Sequence, residues 1–200
     1  LAQLRRWRDA GMYITHMAVN VSLYQLQDER FPERLAQILA DAHLAPGDLE
    51  LELTETMAME NPQVIVTVLK RLRGMGVHLA LDDFGTGFSS LSYLKLLPIR
   101  RLKLDRSLIE HIATERDDAV ICQAVIDLAH TLGLEVVAEG VETREQLCRL
   151  LELDCDAFQG FLLGRPQAAE QMEHVLGAHA TGWAEETGNG WREGRCCQPA

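Results

Sequence analysis

Four carboxylates and one ammonium group stand where this sequence could do chemistry: Glu52, Asp82, Asp83 and Glu139, with Lys103 among them. The stretch LALDDFGTGFSSL, Leu79 to Leu91, sets two adjacent aspartates directly behind an apolar run. Like charges side by side repel, and each is costly to bury unless something positive arrives. Asn20 adds an amide oxygen, so the donors are all oxygen, which suits Mg²⁺ or Mn²⁺ rather than zinc. Adjacent aspartates at a strand end let one bridge two ions while the other binds one. That is how a metal pair clamps the attacking and leaving oxygens of a phosphoryl displacement, so phosphodiester hydrolysis is the chemistry the set implies. Any one of these carboxylates alone reads as surface charge; four at the same relative place in successive units argue for a site. Lys103 either orients the attacking water or offsets charge in the transition state, or it simply pairs with Asp105.

The segment FGTGFSS after the aspartates supplies Gly85 and Gly87, which permit positive φ, and Ser89 and Ser90, which can cap the next helix. It reads as a mobile loop over the site or as a tight turn. Phe84 and Phe88 either stack on a base or fill the core, with the core expected for one of them.

These residues need elements to hold them. Asn61 as N-cap, Pro62 at the first helical position and Ile65, Val68, Leu69 and Leu72 on one face predict a helix stopped by Gly74 and Gly76. A second helix follows Asp118, with Ile121, Val125, Leu128 and Leu132 at helical spacing and Gly133 at its end. TREQ at Thr143 to Gln146 has capping-box form ahead of Leu147, Leu150 and Leu151. Between such helices lie short apolar runs, Ile14 to Val21, Leu49 to Leu53, His78 to Leu81, Arg101 to Leu104, Glu135 to Ala138 and Ala157 to Leu162. Alternating strands and helices predict a parallel sheet. Each run ends in or encloses a polar residue: Asn20, Glu52 with Glu55, Asp82 with Asp83, Lys103 with Asp105, Glu139 with Glu142, and Gln159. In a β/α barrel the reactive side chains gather at that rim. The units average about 28 residues against about 31 for an eight-unit barrel, so the expectation is an α/β modified TIM barrel with about six of eight units present. The sequence opens in the pattern of a helix already under way, LAQLRRWRDAG, which puts the two further units upstream. The domain is expected over 1–176, with the glycine-rich, aperiodic 177–200 as a flexible tail.

The acidic balance, 30 acidic against 19 basic residues, disfavours long nucleic acids and anionic membrane surfaces. No apolar run reaches the roughly 18 residues of a membrane span. Five cysteines without CxxC spacing read as buried or free thiols in a reducing, cytoplasmic setting. Seven histidines carry no metal spacing.

VNVS around Asn20, ELTET from Glu52, LALDDFGTGFSSLSYLK from Leu79, LKLDRS from Leu102, VVAEGVET from Val136 and FQGFLLGRP from Phe158 resemble, in order and spacing, the motifs of the EAL-type cyclic di-GMP phosphodiesterase domain. The resemblance runs from about Leu1 to Leu176 and implies cleavage of c-di-GMP to linear pGpG with two Mg²⁺ or Mn²⁺ ions. It implies Asn20, Glu52, Asp82, Asp83 and Glu139 as metal ligands, Asp82 and Asp83 together holding the second ion. Lys103 and Glu139 match the residues that position or activate water, with Gln159 in support and Glu55 steadying the loop that carries DDFGTG. Asn20, Asp82, Phe84, Gly85 and Glu142 are assigned to substrate binding. A homodimer is expected, with sensor or diguanylate cyclase-like domains upstream in the parent protein. The parent itself could be membrane-anchored.

The sequence departs from the pattern in one respect that matters. It contains no Glu-Ala-Leu motif, whose glutamate is a metal ligand and whose following arginine contacts substrate phosphate in the family; LAQLRRWRDAG resembles the helix that comes after it. Arg100 also stands where an acidic residue is common. Beside an active phosphodiesterase, two other readings follow: a c-di-GMP receptor or regulatory module without catalysis, and a fragment with unpaired sheet edges and no activity.

Overall fold

The computed structural model describes residues 1–87 and 91–176; Phe88, Ser89, Ser90 and the expected tail lie outside the described residues. Six strands form one sheet: β1 (Met17–Asn20), β2 (Leu49–Thr54), β3 (His78–Phe84), β4 (Arg101–Leu104), β5 (Glu135–Glu139) and β6 (Ala157–Gln159). They lie side by side in chain order, each pair parallel, and the sheet curls into a half-barrel. Helices cross between them: α1 (Ala2–Asp9), α2 (Leu23–Leu26), α3 (Phe31–Asp41), α4 (Glu55–Met59), α5 (Pro62–Gly74), α6 (Leu91–Leu94), α7 (Arg106–Ile109), α8 (Arg116–Thr131) and α9 (Arg144–Glu152). The expected α/β architecture with six β/α units is what the chain adopts.

Strand pleat divides each strand between two environments. One set, Leu49, Leu51 and Leu53 with Leu79, Leu81, Leu102, Leu104, Val136 and Ala138, is buried in a single core with the helices. Burying a leucine there contributes about 1.5–3 kcal/mol over leaving it exposed. Charged side chains at alternate positions form two tiers. Near the strand starts, Arg101 donates to Glu50 at 2.8 and 3.0 Å and to Glu135 at 2.8 Å, with His16 3.3 Å from the same guanidinium. Glu50 is 2% exposed, so without Arg101 it would be a buried, uncompensated charge. Near the strand ends stands the second tier, built from Glu52, Asp82, Lys103 and Glu139.

The helices follow their signals with two corrections. In α5, Ile65, Val68, Leu69 and Leu72 are buried and Pro62 opens the helix, as expected, but Asn61, at the N-cap position with φ +47°, makes no side-chain cap bond. In α8 the buried face is Ala119, Cys122, Ile126 and Ala129, rotated from the expected one, and Ile121 is 51% exposed. That helix carries apolar residues on more than one side, so spacing alone did not select its inner face. Thr143 and Gln146 do close a capping box at α9. Cys122 and Cys155 are buried free thiols, as expected.

The turn from β6 back against β5 has no room for a side chain. A Cβ on Gly160 would lie 2.1 Å from the Val141 carbonyl oxygen and 2.3 Å from its nitrogen, where Val141 N–H donates to Gln159 and Leu162 N–H donates to Val141. Gly160→Ala should therefore destabilise the chain by about 1–3 kcal/mol. A urea midpoint that falls at unchanged slope would register it; an unmoved midpoint would contradict it.

Candidate active site

Lys103 lies on β4, between the strands that carry Asp82 and Glu139, and it is only 5% exposed. Its Nζ donates to Glu52 Oε1 at 2.7 Å, Asp82 Oδ1 at 3.0 Å and Glu139 Oε1 at 2.7 Å. Among the described residues, the positive group that the paired aspartates call for is this ammonium. It does not pair with Asp105, whose carboxylate instead accepts from Ser107 N–H at 2.9 Å to cap α7. Burial disfavours the Lys103 charge, but hydrogen bonds to Glu139, Glu52 and Asp82 overcome it and hold the ammonium well above the ordinary lysine range.

One ammonium does not balance the group. With Glu52, Asp82, Asp83 and Glu139 all ionised, the site keeps an excess of negative charge. Burial pushes the Glu139 carboxyl above the usual range, with Asp82 and Glu52 adding to the shift and Lys103 opposing it. Asp83 is raised by burial first, then by Asp82 and Asp105. Asp82, Asp83 and Glu139 each offer a carboxylate oxygen within 4.8 Å of the others, an all-oxygen group able to hold a divalent ion.

Local backbone irregularity aims the aspartates. The β3–β4 register shifts between Leu81 and Phe84, and Asp83 sits at φ +55°, a left-handed conformation that aspartate tolerates better than most residues. Asp82 Oδ1 accepts from the Asp83 N–H at 3.0 Å, tying the pair together. Behind them Gly85, at φ +107°, donates its N–H to Glu55 Oε2 at 3.2 Å, and a Cβ there would strike Leu108 at 2.5 Å. Glu55 opens α4, just after the Thr54 cap, and is 3% exposed, so a buried carboxylate anchors the loop.

The other expected residues fall as follows. Asn20 is the register partner of Glu52, and Gln159 of Glu139, so both stand at the rim; both are exposed. Phe84 is 4% exposed and belongs to the core, so its packing reading holds and its ring is not free to stack on a base. Glu142 is exposed and accepts from Arg106 at 2.7 Å, a partnership spacing did not signal. Arg106 also explains Gly140, where a Cβ would meet its side chain at 2.8 Å.

Comparison with known proteins places this geometry. The family described as EAL domain matches residues 1–166. MucR of Pseudomonas aeruginosa, a bifunctional diguanylate cyclase/cyclic di-GMP phosphodiesterase, is 45% identical over 170 residues, 85% of this chain and 25% of that protein. The solved PaMucR phosphodiesterase in complex with c-di-GMP superposes with a TM-score of 0.80 at 44% identity, covering 86% of this chain and 69% of that one. The EAL domain of Mycobacterium smegmatis DcpA gives a TM-score of 0.83 at 40% identity, covering 88% and 80%. Klebsiella pneumoniae BlrP1, solved as a manganese/cy-diGMP complex, gives 0.75 at 34% identity, covering 82% and 42%. The chain spans about a quarter or less of the curated relatives it matches first. With that family match over most of its length and the ordered rim of carboxylates around Lys103, the chain belongs to the EAL domain family.

Proposed function

We propose that this chain is a cyclic di-GMP phosphodiesterase domain that opens its substrate to linear pGpG, with two Mg²⁺ or Mn²⁺ ions held at the rim of the half-barrel. The observation that carries the reading is the cluster of Asp82, Asp83 and Glu139 oxygens within 4.8 Å beside a buried lysine. The donor set fits such ions, being hard carboxylate oxygen in excess over the one ammonium present. Asp82, Asp83, Glu139, Glu52 and Asn20 would hold the ions. What bound ions supply is Lewis acidity toward phosphoryl oxygens.

The chain's own residues do the rest. Lys103, kept protonated by its carboxylate neighbours, offsets negative charge as the phosphodiester is attacked. Glu139, whose carboxylate is made more basic by burial, is suited to take the proton from the attacking water, with Lys103 orienting that water. Glu55 keeps the loop of Gly85 in place, and Gln159 and Glu142 border the site. The same reading places the domain in residues 1–176 of a cytoplasmic signalling protein, as a homodimer joined to sensor or cyclase-like domains.

The test is to incubate the chain with c-di-GMP and either MgCl₂ or MnCl₂ and separate the products by anion-exchange chromatography. Linear pGpG should appear with either ion and stop on addition of EDTA. Intact c-di-GMP across both metals would overturn the hydrolase reading, and tight retention of uncut ligand would replace it with a receptor.

A further inference from the structure

We propose that the Lys103 ammonium is the resident counter-cation of this site: it stabilises the carboxylate cluster when no ion is bound and weakens ion binding in return. The inference rests on the metal-dependent reading above. Nζ contacts Glu52, Asp82 and Glu139 at 2.7, 3.0 and 2.7 Å. Asp82 and Glu139 are also two of the three residues whose oxygens converge within 4.8 Å. The same two carboxylates therefore serve the ammonium and any ion.

A divalent ion takes carboxylate oxygens at about 2.0–2.6 Å, so an ion on Asp82 and Glu139 has a like charge as its neighbour. The Lys103 side chain is 6% exposed, which leaves little water to screen the repulsion. Flanking Leu102 and Leu104 are fully buried, so the β4 backbone is fixed and only the lysine side chain can yield. Without the ammonium, three inward carboxylates would face each other unpaired, which a fold tolerates poorly. Lys103 thus lets the chain fold before an ion arrives.

The 200-residue chain and its Lys103→Met and Lys103→Arg variants are titrated with MnCl₂ by calorimetry, with far-ultraviolet circular dichroism following the fold. Lys103→Met should bind Mn²⁺ about tenfold or more tightly than the parent, or, if unfolded alone, should fold when Mn²⁺ is added. Lys103→Arg, which keeps the charge, should show no such gain. Equal or weaker binding by Lys103→Met, a gain shared by Lys103→Arg, or a Lys103→Met that stays unfolded with Mn²⁺ each overturn the proposal while leaving the metal site standing. No Mn²⁺ binding by the folded parent overturns both together.

Discussion

Asp82→Asn should lower c-di-GMP hydrolysis by about 10²–10³-fold, the scale of losing one preorganised electrostatic contact, while leaving the fold almost untouched. Asp82 stands at the meeting point of the site: its Oδ1 accepts from Lys103 at 3.0 Å and from the Asp83 N–H at 3.0 Å, and its carboxylate belongs to the converging acidic group. Asparagine keeps the acceptor oxygen and nearly the shape, so both hydrogen bonds can persist. Lys103 also retains Glu52 and Glu139. What is lost is one negative charge where ions would be held, and stability should move by only about 1 kcal/mol. Initial rates by chromatography, paired with urea unfolding, separate the two effects. Hydrolysis within about threefold of the parent would remove Asp82 from the chemistry.

How far the sequence carried this picture follows from which interactions are local. The strands could be read because apolar runs of four to eight residues sit between helix stops, and β4 at Arg101–Leu104 coincides with the expected run. The rim could be read because one polar residue recurs at each strand end, and strand order alone then brings Asn20 beside Glu52 and Glu139 beside Gln159. The partner of the paired aspartates could not. Lys103 reaches Glu52, Asp82 and Glu139 only because the sheet curls, and no spacing distinguishes that from a bond to neighbouring Asp105. The lower tier of Glu50, Arg101 and Glu135 was present in the alternation of LELEL and RLKL, but a reading confined to strand ends passes over it. The left-handed Asp83 left no signal, since aspartate is compatible with many backbones.

Asp83→Asn is the sharpest test of a site that is kept for function at a cost to the fold. Hydrolysis should fall by about 10²-fold or more, yet the ion-free chain should become more stable at neutral pH. Burial, then Asp82 and Asp105, raise the Asp83 carboxyl above its usual value of 3.8. A carboxyl raised in the fold contributes full stability below its unfolded value and loses it as pH rises through the folded one, so at neutral pH the ionised group is a burden. Asparagine has no such loss. Asparagine also accepts φ +55° readily, which adds a part that does not vary with pH. The gain of Asp83→Asn over the parent should therefore be small near pH 3.5 and grow to a plateau by pH 7. Mn²⁺ should reverse the order, stabilising the parent more than the variant, because the added charge is what an ion would use. Thermal midpoints of both proteins across that range, with and without MnCl₂, decide it: a difference that is flat in pH would show that backbone geometry, and not charge, sets the cost of Asp83.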